Sequence, residues 1–241
     1  MTRTRHNGFH SALILFGAAT PAAIGESYPK VLEPRVALHL SSPTTKTETI
    51  CTSETPNASG VPCSAYTVQG ALNQNYLIYL VVAQVDSVSF GGGITGLKCG
   101  LEYDSTPGSG LTASAWFLCG SGTETLSAGP QGDWPASGGG NEISWPSCQG
   151  TKIGGEGIHS VAGALSVYAY ANSVFRVTPN RNLAGGSSLI LTDCAGSLVQ
   201  IDTTQAIFGR VGFGEGLGFA PCLPVPVAAA TWGRIKRMYR N

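Results

Sequence analysis

The sequence predicts an all-β protein, a single antiparallel β-sandwich of about nine strands. Three observations predict it. Short runs rich in Val, Ile, Leu and Tyr are separated by Gly, Pro, Asn and Ser clusters at intervals of about ten residues. Glycine is abundant, 33 of 241 residues, while only 12% of the chain is charged, which suits many strands joined by tight turns. A helical period is missing from every long window before the C-terminal end. The hydrophobic fraction of 42% is enough for a sizeable core, and sandwiches of ~200–250 residues often form one domain.

The first 25 residues read as a secretory signal peptide. Arg3 and Arg5 form its positive end, 12–19 its short apolar stretch, and Ala23 and Gly25 the small residues before a cleavage point near Glu26. Residues 26–65 then supply one strand, 36–40, and a disulfide-closed loop belonging to the sandwich. The loop carries the glycosylation pattern Asn57-Ala58-Ser59. No later window reaches the ~18 apolar residues of a transmembrane helix.

The sandwich body spans 66–223. Its central strand is 75–85, NYLIYLVVAQV, apolar on both faces. After Gly91-Gly92-Gly93 comes a strand from Leu97 to Tyr103, in which Leu97, Cys99, Leu101 and Tyr103 share one face. The turn formers of 104–110 return the chain into a strand at 111–118, so 97–118 reads as a hairpin. Further strands are expected at 141–145 (ended by Pro146), 160–170, 173–178, 188–193, 198–201 and 206–213.

Seven cysteines behind a leader imply disulfides. In a 97–118 hairpin Cys99 lies about 13 Å from the level of Cys119, beyond bonding reach. Cys99 is therefore expected as a buried free thiol. The other six are expected to pair in sequence order, Cys51 with Cys63, Cys119 with Cys148, and Cys194 with Cys222. Without a CxxC pair, and with only His39 and His159 in the mature body, the chain offers no metal site, and no cofactor is expected.

Net charge is formally zero, but residues 26–227 hold eight basic residues against fourteen acidic ones, about −6. A body of that sign is not expected to bind nucleic acid. The carboxylates considered for acid/base chemistry are Glu102, Asp104, Glu124, Asp133 and Glu142, and no Gly-x-Ser-x-Gly elbow accompanies His159. The aromatics suggest binding. Trp134 and Trp145 bracket a loop expected to be exposed, where indoles could stack on a sugar ring with Asp133 and Asn141 beside them.

Residues 75–119 resemble cohesin-like and related carbohydrate-binding sandwich modules, which carry a strand of the form GFxFxLxYDPxxL. Gly96, Cys99, Leu101, Tyr103, Asp104 and Leu111 take the matching positions, with Cys99 where an aromatic is expected and the 119–148 loop as an addition. The resemblance implies a jelly-roll, immunoglobulin-like layout and a non-catalytic extracellular module.

The C-terminal segment, 224–241, combines a Pro/Val connector with a basic end. Its Trp232, Ile235, Lys236, Tyr239 and Arg240 resemble the TWGxIKxxYR tails of secreted bacterial proteins of unknown function. That likeness implies an attachment tag, read by sorting machinery or an anionic surface. A short amphipathic helix is expected there, with Trp232, Ile235 and Tyr239 in one stripe. The function expected from the sequence is thus a secreted, non-catalytic binding or adhesion module of a cell-surface assembly, its partner a glycan or a surface protein. One alternative is a carbohydrate-binding module using Trp134 and Trp145. A second is an extracellular hydrolase using the surface carboxylates.

Overall fold

Strands, not helices, carry the chain throughout the computed structural model, which describes residues 33–42, 50–51, 60–181, 188–201 and 208–222. The leader, the glycosylation pattern and the C-terminal tail lie outside the described residues. Thirteen strands appear among the described ones: β1 (Arg35–Ser41), β2 (Gln69–Gly70), β3 (Asn75–Val85), β4 (Ile94–Glu102), β5 (Leu111–Leu118), β6 (Thr123–Ser127), β7 (Gly140–Gln149), β8 (Thr151–Ile153), β9 (Gly157–Ala169), β10 (Ser173–Thr178), β11 (Ile190–Asp193), β12 (Leu198–Gln200) and β13 (Arg210–Phe213). One turn of 3-10 helix, Cys63–Ala65, precedes β2.

The strands form two sheets. Sheet A runs β1-β3-β9, with β5 and β8 both along the far edge of β9. In sheet B, β4 is central. Its one edge pairs with β7, which pairs in turn with β6; its other edge is shared by β10 and β11. Beyond those lie β13 and β12, with β2 added in parallel to β13. Because β10 and β11 meet β4 two residues apart (Thr178 opposite Gly100, Ile190 opposite Lys98), they lie end to end along one edge of β4. The core lies between the inward faces. Leu38, Ile78, Leu80 and Leu165 of sheet A meet Leu97, Leu101, Phe175 and Phe213 of sheet B, all fully buried or nearly so, each contributing about 1.5–3 kcal/mol.

The predicted hairpin at 97–118 does not form. β4 belongs to sheet B and β5 to sheet A, so the 103–110 turn carries the chain across the sandwich. Its local geometry is tight, with Leu111 N donating to Asp104 O at 2.6 Å and Gly110 N to Thr106 O at 2.8 Å. Such a turn reads in sequence like a hairpin turn, and only the partners of the two strands tell the cases apart.

The disulfides follow this crossing. Cys51 pairs with Cys119, Cys63 with Cys222 and Cys148 with Cys194, not in sequence order. Their Cα separations, 5.2 to 5.6 Å, lie in the usual range. The physical reason is layering. Cys63 and Cys222 close a second apolar cluster on the outer face of sheet A, with Tyr66, Tyr79, Val81 and Ala220, so segments 159 residues apart are stapled there. Cys99 is the free cysteine among the described residues and is fully buried on the core face of β4. Its isolation comes from lying in the opposite sheet to β5 and not from hairpin spacing. Burial pushes the Cys99 thiol up to about 12. Alkylation of the native protein by iodoacetamide at pH 8 is therefore expected to leave Cys99 unmodified, with modification only on unfolding. Non-reducing peptide mapping of the same sample should recover the 51–119, 63–222 and 148–194 crosslinks.

Candidate functional site

The sequence-named residues distribute over three places. The first lies between the sheets along their open side, where β5 edges sheet A and β6 edges sheet B. A β-bulge at Ala115, whose φ is 48°, resets the alternation of β5, so Trp116 comes level with Leu165 and turns inward. Gly163 makes room for it: a Cβ there would overlap the Trp116 ring. On β6, Glu124 stands opposite Ile143, itself opposite Leu97, both core residues. Its carboxylate thus enters the space between the sheets, where Oε1 accepts from Trp116 Nε1 at 2.6 Å and Asn141 Nδ2 at 2.5 Å.

Trp134 and Asn141, proposed as ligand contacts, belong to this same cluster. Trp134 packs edge-on against Trp116, ring centroids 5.1 Å apart. Their predicted exposure is not found. Trp134 is 5% exposed, Trp145 3% and Asn141 0%. The loop between them is pinned to β4 and folds its indole into the sandwich end, because burying an indole outweighs leaving it in water. Trp145 points inward from β7, and its Nε1 donates to Cys119 O at 2.9 Å. Neither ring offers a face for a sugar. Asp133 alone of the four is exposed, within the loop.

The second place is the outer face of sheet A. His159 is fully buried there, with Nδ1 3.2 Å from Tyr66 Oη and Nε2 3.7 Å from Glu156 Oε2. Glu156 also takes the backbone N–H of Cys63 at 2.5 Å. His39, beside Tyr66, accepts from Thr67 N at 3.1 Å. Burial holds both histidines below their usual pKa of 6.5, Glu156 partly opposing this at His159. The burial of His159 is not legible in the sequence. The residue alternates with apolar neighbours in a strand, but nothing local shows that the 60–68 segment covers it.

The third is a cleft of about 260 Å³ at one end of sheet B. It is bounded by Leu101 and Glu102 at the end of β4, by Pro130, Gln131 and Ser137 of the loop, and by Thr178, Pro179 and Arg181 after β10. Glu102 pairs with Arg176 across the ladder at 2.5 Å. Arg181 is exposed and has no ion-pair partner among the described residues. Sequence reading missed this cleft, because it joins three segments far apart in the chain. Glu142 is exposed on β7. Asp104 spends its carboxylate on Thr106, whose hydroxyl and N–H hold it below the ordinary carboxylate range.

The structure is similar to cohesin modules. One, from a family 33 glycoside hydrolase of Clostridium perfringens, matches with 5% identity and a TM-score of 0.38, covering 76% of this chain and 98% of that one. A type II cohesin domain from the cellulosome of Acetivibrio cellulolyticus gives 8% identity and a TM-score of 0.40, covering 74% and 94%. A second type II module, from an adaptor scaffoldin of that organism, gives 10% and 0.33, covering 84% and 97%. No protein family model and no curated protein sequence matches the chain. Among the described residues no His, Cys, Asp and Glu group has the arrangement of a metal site, and no helix is long and apolar enough to cross a membrane.

Proposed function

We propose that the protein is a secreted, non-catalytic binding or adhesion module of an extracellular assembly. The observation that carries this is where the carboxylates go. Glu102 is held by Arg176 and Asp104 by Thr106 at the end of β4, while Glu124 is held by Trp116 and Asn141 between the sheets, so each carboxylate is already engaged by the protein's own groups. Acid/base hydrolysis needs two such groups facing one substrate. Three disulfides tying distant segments to a rigid sandwich support an oxidising, extracellular setting.

The purified protein is expected to show no turnover across a panel of glycosides, esters and peptides. Turnover lost on Glu102→Gln or Asp133→Asn would make it a hydrolase instead. The tail is proposed as the attachment tag. Deleting residues 231–241 is expected to leave the melting temperature unchanged and to release the protein from the cell surface. Unaltered localisation of the truncated protein would remove that role.

A further inference from the structure

We propose that the cleft between Arg181, Glu102 and Gln131 binds a hexuronic acid unit of a glycan, with Arg181 holding the sugar carboxylate. The inference rests on the binding-module reading and gives it a ligand class.

The cleft is preformed. Its loop wall is fixed to β4 through Gly138 N to Leu101 O at 2.8 Å and Leu101 N to Gly139 O at 3.2 Å. The Ser137 hydroxyl adds two bonds, accepting from Tyr103 N at 3.0 Å and donating to Tyr103 O at 2.6 Å. Gly138 takes a φ of +81° at this join, a region glycine enters without strain. The other wall is fixed by the β4–β10 ladder, Leu101 opposite Val177 and Gly100 opposite Thr178. A site whose walls are already ordered loses little free energy in closing on a weak ligand.

Size and chemistry narrow the occupant. About 260 Å³ falls just under the range of drug-sized pockets, ~300–1,000 Å³, and suits one sugar ring. Arg181, without an ion-pair partner among the described residues, presents a planar guanidinium, which takes a carboxylate by two parallel hydrogen bonds. Glu102, Gln131 and Thr178 bring acceptor and donor groups suited to ring hydroxyls, while Pro130 and Pro179 bring apolar surface suited to C–H faces. An acidic peptide added as a strand fits less well, because the Leu101 N–H and C=O are already spent on the loop. The body is net negative, so an anion is not drawn in by overall charge. Selection has to be local, at Arg181.

The test is an amide NMR titration of the purified protein with methyl β-D-glucuronide and methyl α-D-galacturonide, against the matching neutral methyl glucoside and galactoside. One of the acids is expected to shift the Gln131, Gly138 and Thr178 amides with a Kd of about 1 mM. Arg181→Gln should weaken it at least tenfold (~1.4 kcal/mol), and Arg181→Lys should restore only part, since Lys lacks the bidentate fork. Gln131→Ala, at an exposed position, should weaken binding with no change in melting temperature. The proposal is overturned if neither acid shifts these amides, if the neutral glycosides bind equally, if Arg181→Gln binds as the wild type does, or if an Asp/Glu hexapeptide shifts them more strongly. Methanol release from the methyl glycosides would instead overturn the non-catalytic reading on which this one stands.

Discussion

Replacing Trp145 with Ala is expected to lower unfolding free energy by about 3–5 kcal/mol, the range for a large aromatic removed from a core. In a chain of this size that is a fall of roughly 6–20 °C in melting temperature. The indole is 3% exposed, and its N–H satisfies Cys119 O beside the 51–119 disulfide. Truncation opens a cavity and strips that carbonyl of its donor at once. Trp134→Ala should cost a similar amount, since its ring is 5% exposed and packed on Trp116. Urea unfolding of the oxidised protein, followed by circular dichroism, measures both. The result separates two roles that a tryptophan-rich loop has in sequence. A sugar-stacking indole on the surface would change affinity and leave the unfolding midpoint in place. An unmoved midpoint for Trp145→Ala would contradict the burial.

What was legible in the sequence were features a strand carries within itself. The spans of β3, β5 and β10 follow from apolar and β-branched content and flanking turn residues alone. β6 escaped because its TETLS sequence is polar and mostly exposed on a sheet edge, without an apolar face to betray it. β7 runs past Pro146, where a strand end was expected. Its ladder with β4 jumps from Ser144 opposite Gly96 to Gln149 opposite Ile94, so Pro146 sits in the bulge and its missing N–H leaves no ladder bond unmade.

Relations between strands were the illegible part. The sequence of 104–110 says that the chain turns, and says nothing of which sheet receives it. The cysteines were illegible for the same kind of reason, since nothing local says which segments the layers bring beside Cys51, Cys63 and Cys148. The candidate site suffered in the same way. Trp134 and Asn141 read in sequence as residues of an exposed loop, but they are buried, Trp134 against Trp116 of β5 and Asn141 against Glu124 of β6. Arg181 drew no attention, because a surface arginine becomes a site only through the β4 and loop residues folded against it.

Acidification is expected to loosen the protein through its two buried histidines. His39 and His159 are 7% and 0% exposed, and desolvation holds both pKa values below 6.5 in the fold. The groups facing them are Tyr66, Tyr79 and Glu156. Of these Glu156 alone favours the imidazolium at His159, and there it does not overcome burial. The sign follows from proton counting. Above about pH 6.5 neither state carries the protons, and stability is intact. As pH falls through 6.5 the unfolded chain takes up protons that the native state refuses, so the equilibrium moves toward unfolding. Each histidine then removes up to about 1.4 kcal/mol per pH unit, until its folded pKa is reached and the loss levels off. The segment to yield first should be 60–68, because its Tyr66 and Thr67 contacts end on the two imidazoles, while the 63–222 disulfide keeps it tethered. Melting temperature between pH 7.5 and 5, with limited proteolysis at 60–68, checks this. Glutamine at both positions should flatten the profile between pH 6.5 and 5, and His39→Gln alone should remove about half of the slope. A decline equally steep in these variants would move its origin to the carboxylates.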